Sequence, residues 1–357
     1  MRRYVGIFLL LLVTANHTSA QTSDSTTAID YKPSFDGRLK VRFLVDSYDG
    51  KNNFEVKNAR FNMRGKLSKD LSYRMQVEYS NAGKFNVLDL NATYNLKSFR
   101  IRFGQQLHGF STEMGLAPVD DKFSNRSFMT NFITSYTEVD GNGILQIKSI
   151  GARDVGALFT YYLQTVPAYI QAGVFNGSGL NSPTWKNNVN VAVRLEIGQN
   201  QGLKGALSYY GGKAPSSQEI QMWNAELRYI TKTFRVEGEL AQRYLSDSIT
   251  HRLSTVFVQT YYKLELNPQK RIKYIMPTLR WDMGENVNLY NAAENIINFL
   301  NINRVTVGVN FGLISSPKFL AEARLNYEKF FVSHKPSNFG SNRFLHDMFM
   351  VELAFAF

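Results

Sequence analysis

The side chains best suited to chemistry in this sequence are cations set two residues apart. Arg38, Lys40 and Arg42 follow Asp36; Arg60, Arg64 and Lys66 follow Asn58; Arg74, and then Arg100 and Arg102, continue the spacing. Alternate residues of an extended chain share a face, so each run projects its cations to one side. Guanidinium and ammonium groups arrayed this way attract and guide anions rather than make or break bonds. Between Ser34 and Gln106, fourteen Lys and Arg stand against seven Asp and Glu, so this stretch carries much of the formal net charge of +12.

Bond-making chemistry has little to build on. The histidines are His17, His108, His251, His334 and His346, and there is no cysteine. None of the histidines has a second His or a carboxylate at metal-ligand spacing on a common face, so neither a metal nor a cofactor is expected. Ser254 near His251 is the nearest approach to a nucleophile and base. Asn176-Gly177-Ser178-Gly179 lacks the lysine and following helix of a phosphate loop and reads as the start of a surface loop. A basic chain often binds nucleic acid. Here the charge lies within alternating strands rather than in tails or helical faces, which points it into a lumen.

The elements that position these cations are strands. Sixteen are expected, near 34–46, 54–66, 70–80, 86–96, 99–106, 155–165, 168–176 and 188–198, then 202–211, 221–231, 233–243, 253–266, 272–283, 302–313, 319–331 and 345–357. Short connections rich in Gly, Pro, Ser and Asn alternate with mostly longer polar ones, such as 176–187, 284–301 and 333–343. No run of roughly 18 apolar residues follows the N-terminal segment, so a helical membrane span is not expected. A bilayer admits strands only as a closed barrel, because every backbone polar group must be paired. Alternating strands with segregated turn lengths are the mark of such a barrel in an outer membrane. The fold class is therefore all-β, a transmembrane sixteen-stranded antiparallel β-barrel over residues 34–357. Residues 1–20 read as a cleaved signal peptide, with Met1-Arg2-Arg3, an apolar core and Thr18-Ser19-Ala20. Residues 21–33 read as a periplasmic tail.

Period two assigns the faces. Leu39, Val41, Phe43 and Val45 point to lipid, and Arg38, Lys40 and Arg42 inward. Arg60, Arg64, Arg74, Arg100 and Arg102 line the same lumen. The third long connection, between Gln106 and Asp154, is out of proportion, and its Phe110, Met114, Phe123, Phe128, Met129 and Phe132 suit packing. It is expected to fold inward and narrow the lumen, with Lys122, Arg126, Lys148 and Arg153 facing the wall cations. Two readings of the wall stand: a basic lumen that favours anions, or cations held by facing acids such as Glu226, Glu237, Glu239, Glu322 and Glu328 without selecting a solute. A lipid enzyme at the rim and a non-conducting structural barrel are the alternatives to a diffusion channel.

Gly104-Gln105 followed by Phe110-Ser111 and Glu113 resembles the phosphate- and polyphosphate-selective porin O/P family. So do Arg153-Asp154 with Gly156, Phe175-Asn176-Gly177 with Gly179, Arg280-Trp281-Asp282, and Val307-Gly308-Val309-Asn310. Leu107 and Gly109 stand where that family has Lys and Pro. The resemblance implies an outer-membrane porin of a Gram-negative-type bacterium, commonly a trimer, with the third loop inside the barrel. Its implied partners are outer-membrane lipid, small anions and, through Phe357, the assembly machinery. Arg38, Lys40, Arg42, Arg60, Arg64, Arg74, Arg100, Arg102, Lys122 and Arg126 are the expected anion path.

Overall fold

In a computed structural model, residues 30–79, 83–246, 252–267, 269–291, 296–332 and 346–357 are described, and the expected signal peptide and most of the tail lie outside them. Residues 31–357 form one compact unit. Its strands open with β1 (Ser34–Asp46), β2 (Asn52–Lys66), β3 (Leu71–Tyr79), β4 (Phe85–Leu96) and β5 (Phe99–Leu107). The hairpin β6 (Ser135–Val139) and β7 (Leu145–Ser149) lies within the third loop and forms a sheet of its own. The main sheet resumes with β8 (Arg153–Tyr162), β9 (Ala168–Phe175), β10 (Asn190–Gly198), β11 (Gly202–Lys213), β12 (Glu219–Ile230) and β13 (Phe234–Leu245). It continues through β14 (Arg252–Tyr262), the two-residue β15 (Leu264–Glu265), β16 (Tyr274–Asn291), β17 (Ile296–Ser315), β18 (Leu320–Val332) and β19 (Met348–Ala356). Each strand pairs antiparallel with its neighbours, and β19 pairs with β1. With β15 counted as an extension of β14, this is the expected sixteen-stranded closed barrel.

The alternation that marks the strands is the alternation of their surroundings. In β10, Val191, Val193, Leu195 and Ile197 are exposed outward, while Asn190, Ala192, Arg194 and Glu196 are buried inward. Exposed aromatic residues gather at both strand ends: Phe35, Tyr94, Phe99, Tyr161, Tyr229 and Tyr262 toward the short turns, Phe54, Tyr79, Phe85, Trp223, Phe331 and Phe349 toward the long loops. Two such girdles bounding an apolar band suit the two membrane interfaces.

One expectation is corrected. Residues 284–301 read as a polar loop, but β16 and β17 run through most of it, with 18 and 20 residues where a bilayer crossing takes roughly ten. The asparagines mask a period-two pattern, in which Val287, Leu289, Leu300 and Ile302 turn inward and are buried. The hairpin therefore rises above the membrane and folds an apolar face over the mouth. The expected long loop at 333–343 lies outside the described residues.

Closure rests on a glycine. Phe357 and Gly37 exchange backbone hydrogen bonds of 3.1 and 2.9 Å, and a Cβ on Gly37 would sit 2.2 Å from the Phe357 ring. The ring thus lies over the one position of β1 that offers it no side chain. Gly37→Val should displace the ring from the seam and lower barrel stability by roughly 1–3 kcal/mol, the cost of overpacking. Urea unfolding followed by heat-dependent gel mobility measures it, and an unchanged midpoint would remove Phe357 from the closure.

Candidate functional site: a lumen narrowed by the third loop

Residues 108–152 fold into the barrel, as expected. Two short helices, α1 (Thr112–Gly115) and α2 (Phe128–Phe132), begin at serine caps: Ser111 accepts from Met114 N and Ser127 from Thr130 N. Glu113 ties the helices together, accepting from Ser127 N at 2.9 Å and from Thr130 Oγ1 at 2.7 Å. Phe110, Met114, Phe128, Met129, Phe132 and Ile133 are buried against inward-facing Ile220, Met222, Leu245, Leu253, Phe257, Val287, Leu289 and Phe330. On the loop side of strands β12–β18 the barrel interior is thus a hydrophobic core rather than water. Its apolar area makes the loop part of the fold.

Below that core, wall cations hold the loop backbone. Arg324 donates to Asp121 O at 2.7 Å and Val119 O at 2.8 Å; Arg243 donates to Ser135 O at 2.5 Å; Arg304 to Arg126 O at 2.7 Å; and Arg280 to Asn125 O at 2.8 Å. Arg194 reaches Thr112 Oγ1 at 3.0 Å. Wall acids take the loop's donors: Thr112 N meets Glu226 at 3.1 Å, Glu113 N meets Glu239 at 3.0 Å, and Asn125 Nδ2 meets Glu328 at 2.9 Å. Arg280 also covers the Phe123 ring at 4.1 Å, and Arg304 the Phe128 ring at 4.8 Å. Each guanidinium has five donors in a fixed fork, so one side chain satisfies a carboxylate and a carbonyl together.

The predicted site residues divide into two groups. Lys40 and Arg42 do not line open lumen. Both are buried under the loop, Lys40 pairing with Glu352 at 3.1 Å and donating to Phe123 O at 3.2 Å, Arg42 pairing with Glu55 and donating to Ser124 O at 3.2 Å. The loop's own carbonyls drew them in. The rest of the wall stays in contact with the lumen but is partly neutralised. Arg38 and Arg64 share Asp36, Arg60 holds Glu78, and Arg74 shares Asp89 with Arg153 at 3.3 and 2.9 Å. Arg100 donates to Asn95 Oδ1 at 2.9 Å beneath the Tyr162 ring, and Arg102 to Thr93 Oγ1 at 3.3 Å. Among the described residues neither has a carboxylate within 4.0 Å.

Across from this wall, Arg126 pairs with Asp121 at 3.4 Å and Lys122 with Glu322 at 2.8 Å. Burial pushes the Asp121 carboxyl up, and the charges of Arg126, Arg280 and Lys40 outweigh it, so it is held below the ordinary carboxylate range. Two expected loop cations lie elsewhere: Lys148 pairs with Glu138 in the β6–β7 hairpin, and Arg153 begins β8 as part of the wall. Arg60 lies within Coulombic reach of both Arg153 and Arg126, so wall and loop cations act on one passage.

Arg194, Arg243 and Arg304 went unnoticed in the sequence. Their signal was an inward parity on strands whose upper inward positions are apolar, which implies something for both to pack against. Of the weak nucleophile pair, His251 lies outside the described residues, and Ser254 accepts from Gln242 at 3.5 Å.

His108 follows β5 directly and is buried among Phe110, Phe175 and Tyr210, its Nε2 3.0 Å from Gly151 O. Burial pushes the imidazole down to about 4 from its ordinary 6.5. The unfolded chain takes up this proton near pH 6.5 and the native one only near 4, so stability is full above 6.5 and is lost as pH falls toward 4. The loss is on the order of 3 kcal/mol. Urea midpoints of the wild type and His108→Gln between pH 7 and 4 should converge as pH falls, and parallel pH profiles would show that His108 does not couple.

Residues 34–144, from the first strand through the constricting loop to its hairpin, match the family model of phosphate-selective porin O and P. No curated protein matches the sequence. Among solved structures, the barrel is similar to OmpF of Salmonella typhi in complex with daunomycin, at 12% identity and TM-score 0.65, covering 92% of this chain and 98% of that one. It is also similar to an anion-selective porin from Comamonas acidovorans, at 13% identity and TM-score 0.59, covering 91% and 98%. A trimer form of OmpT from Vibrio cholerae aligns at 10% identity and TM-score 0.57, over 91% and 99%. At these identities the structures speak to fold alone, and the family match covers strands β1–β5 and most of the loop that faces them. Over that stretch the chain is similar to the phosphate-selective porin O and P family, and its complete barrel has the fold of the outer-membrane porins.

Proposed function

We propose that this porin gives passive diffusion to small hydrophilic solutes and favours anions. The observation that carries the reading is the imbalance on the open side of the lumen. Arg38, Arg60, Arg64, Arg74, Arg100, Arg102 and Arg153 have only Asp36, Glu78 and Asp89 as ion-pair partners among the described residues, and Arg126 faces them from the loop, sharing Asp121 with Arg280. A narrow passage with one excess sign of charge raises the local concentration of the opposite ion. Several exchangeable arginines, rather than one tight site, let an anion enter and leave. The opposite side carries its charges in buried pairs, such as Arg304 with Asp282 at 2.7 Å and Arg324 with Glu352 at 3.1 Å, and adds little to selection.

The family's phosphate selectivity and the anion selectivity of the Comamonas porin agree in sign with this reading. The Vibrio trimer suggests a homotrimer here, and Phe357 at the closing seam is the proposed contact for the assembly machinery. Light scattering in detergent tests the first through the mass.

Planar-bilayer reversal potentials in a potassium chloride gradient test selectivity. The wild type should favour chloride, and Arg60→Gln/Arg74→Gln/Arg100→Gln/Arg102→Gln should shift the reversal potential toward the cation side while conductance persists. A cation-favouring wild type would overturn the anion preference, and a correctly assembled barrel without conductance would make this a structural barrel. Because the third loop carries the hydrophobic core, point changes on its free surface probe the passage more cleanly than a deletion.

A further inference from the structure

The far side of the third loop is committed to core and anchors, so only its free side meets a passing solute. That side begins where β5 delivers the chain to α1. Gly115 is exposed, Leu116 and Ala117 are half-buried, and half-buried Leu107 lies 3.7 Å from where a Gly115 Cβ would stand. Arg126 donates to Leu116 O at 2.7 Å, which puts its guanidinium beside this apolar strip. Pro118 and Arg126 share a cavity of about 50 Å³ with Asn58 of β2, so the segment lies against the wall that carries Arg60. The acid on this surface, Asp120, is exposed and within Coulombic reach of Lys122.

We infer that the passage selects amphipathic organic anions, carboxylates with a hydrocarbon body, over inorganic phosphate. The inference rests on the anion-favouring reading above and narrows its substrate class. One side of the gap supplies guanidinium forks, which suit carboxylate and phosphate alike. The loop side sets Arg126 next to leucine and alanine side chains, which offer no hydrogen bond. Phosphate presents oxygens in every direction, so those turned to the strip lose water without replacement. A carboxylate concentrates its polar atoms at one end, and its hydrocarbon end covers the leucines, removing apolar area from water on both. The two faces of the gap therefore discriminate by the shape of the solute's polarity rather than by its charge.

The test uses the full chain in planar bilayers with phosphate, acetate and hexanoate against chloride. Hexanoate should permeate ahead of both acetate and phosphate, although its larger size slows it in free solution. In Leu116→Ser/Ala117→Ser the hexanoate-to-acetate permeability ratio should fall about fivefold, the scale expected for losing contact with one apolar side chain. Leu107→Gln, at the edge of the strip, should lower the same ratio and serves if the double variant fails to assemble. Phosphate ahead of hexanoate in the wild type would overturn this inference and leave the anion preference standing. So would a ratio unchanged in an assembled variant. A cation-favouring potential in potassium chloride would instead overturn the anion preference, and this inference with it.

Discussion

A loop inside a barrel must find partners for its backbone. Every carbonyl and amide that residues 108–152 bring out of water needs a hydrogen bond, and this requirement organises the interior. The barrel wall meets it with arginines from β10, β13, β16, β17 and β18. Arg194, Arg243, Arg280, Arg304 and Arg324 each reach the loop with at least one nitrogen, and Arg194, Arg280, Arg304 and Arg324 are also held by a wall or loop carboxylate. Such buried pairs add little net stability when compared with apolar side chains, but breaking one leaves a buried charge alone. Their contribution is to hold one loop position against all others. The core above them, where Phe128 and Met129 meet Val287 and Leu289, supplies the apolar burial.

The function is the complement of that anchoring. Cations used by the loop are unavailable to solute, and Lys40 and Arg42 show how far this goes: they continue the same β1 run as Arg38, yet the loop covers them. What remains for the passage is the wall of β2–β5 and β8, where the carboxylates are too few for the arginines. The excess cations of the first strands stay open to the passage, while the loop occupies the side where arginines and carboxylates are paired. The loop then adds its own free surface, with Arg126 beside Leu116 and Ala117.

The long β16–β17 hairpin belongs to the same arrangement. Its inward apolar face would be an exposed liability above the membrane, and it is covered by α2 and by neighbouring strand tops. Gly284, which holds Phe128 within 3.6 Å of its Cβ position, marks where the hairpin and the loop meet. A substitution in this core would be felt in the passage, because the loop cannot shift on its core without moving its anchors.

Strand number, face assignment and the inward course of the third loop were legible in the sequence, because each follows from local rules. A bilayer enforces period two over every crossing, and turn chemistry separates short connections from long. Asn-rich residues 284–301 escaped because a polar composition hid the same period. Which cations face water was not legible. Arg38 and Arg42 have the same type, strand and parity, and they differ only in whether a loop more than 80 residues away lies over them. Residue type and period set what each side chain can do; the hydrogen-bonding needs of a loop brought inside the barrel decide which of them are free to do it.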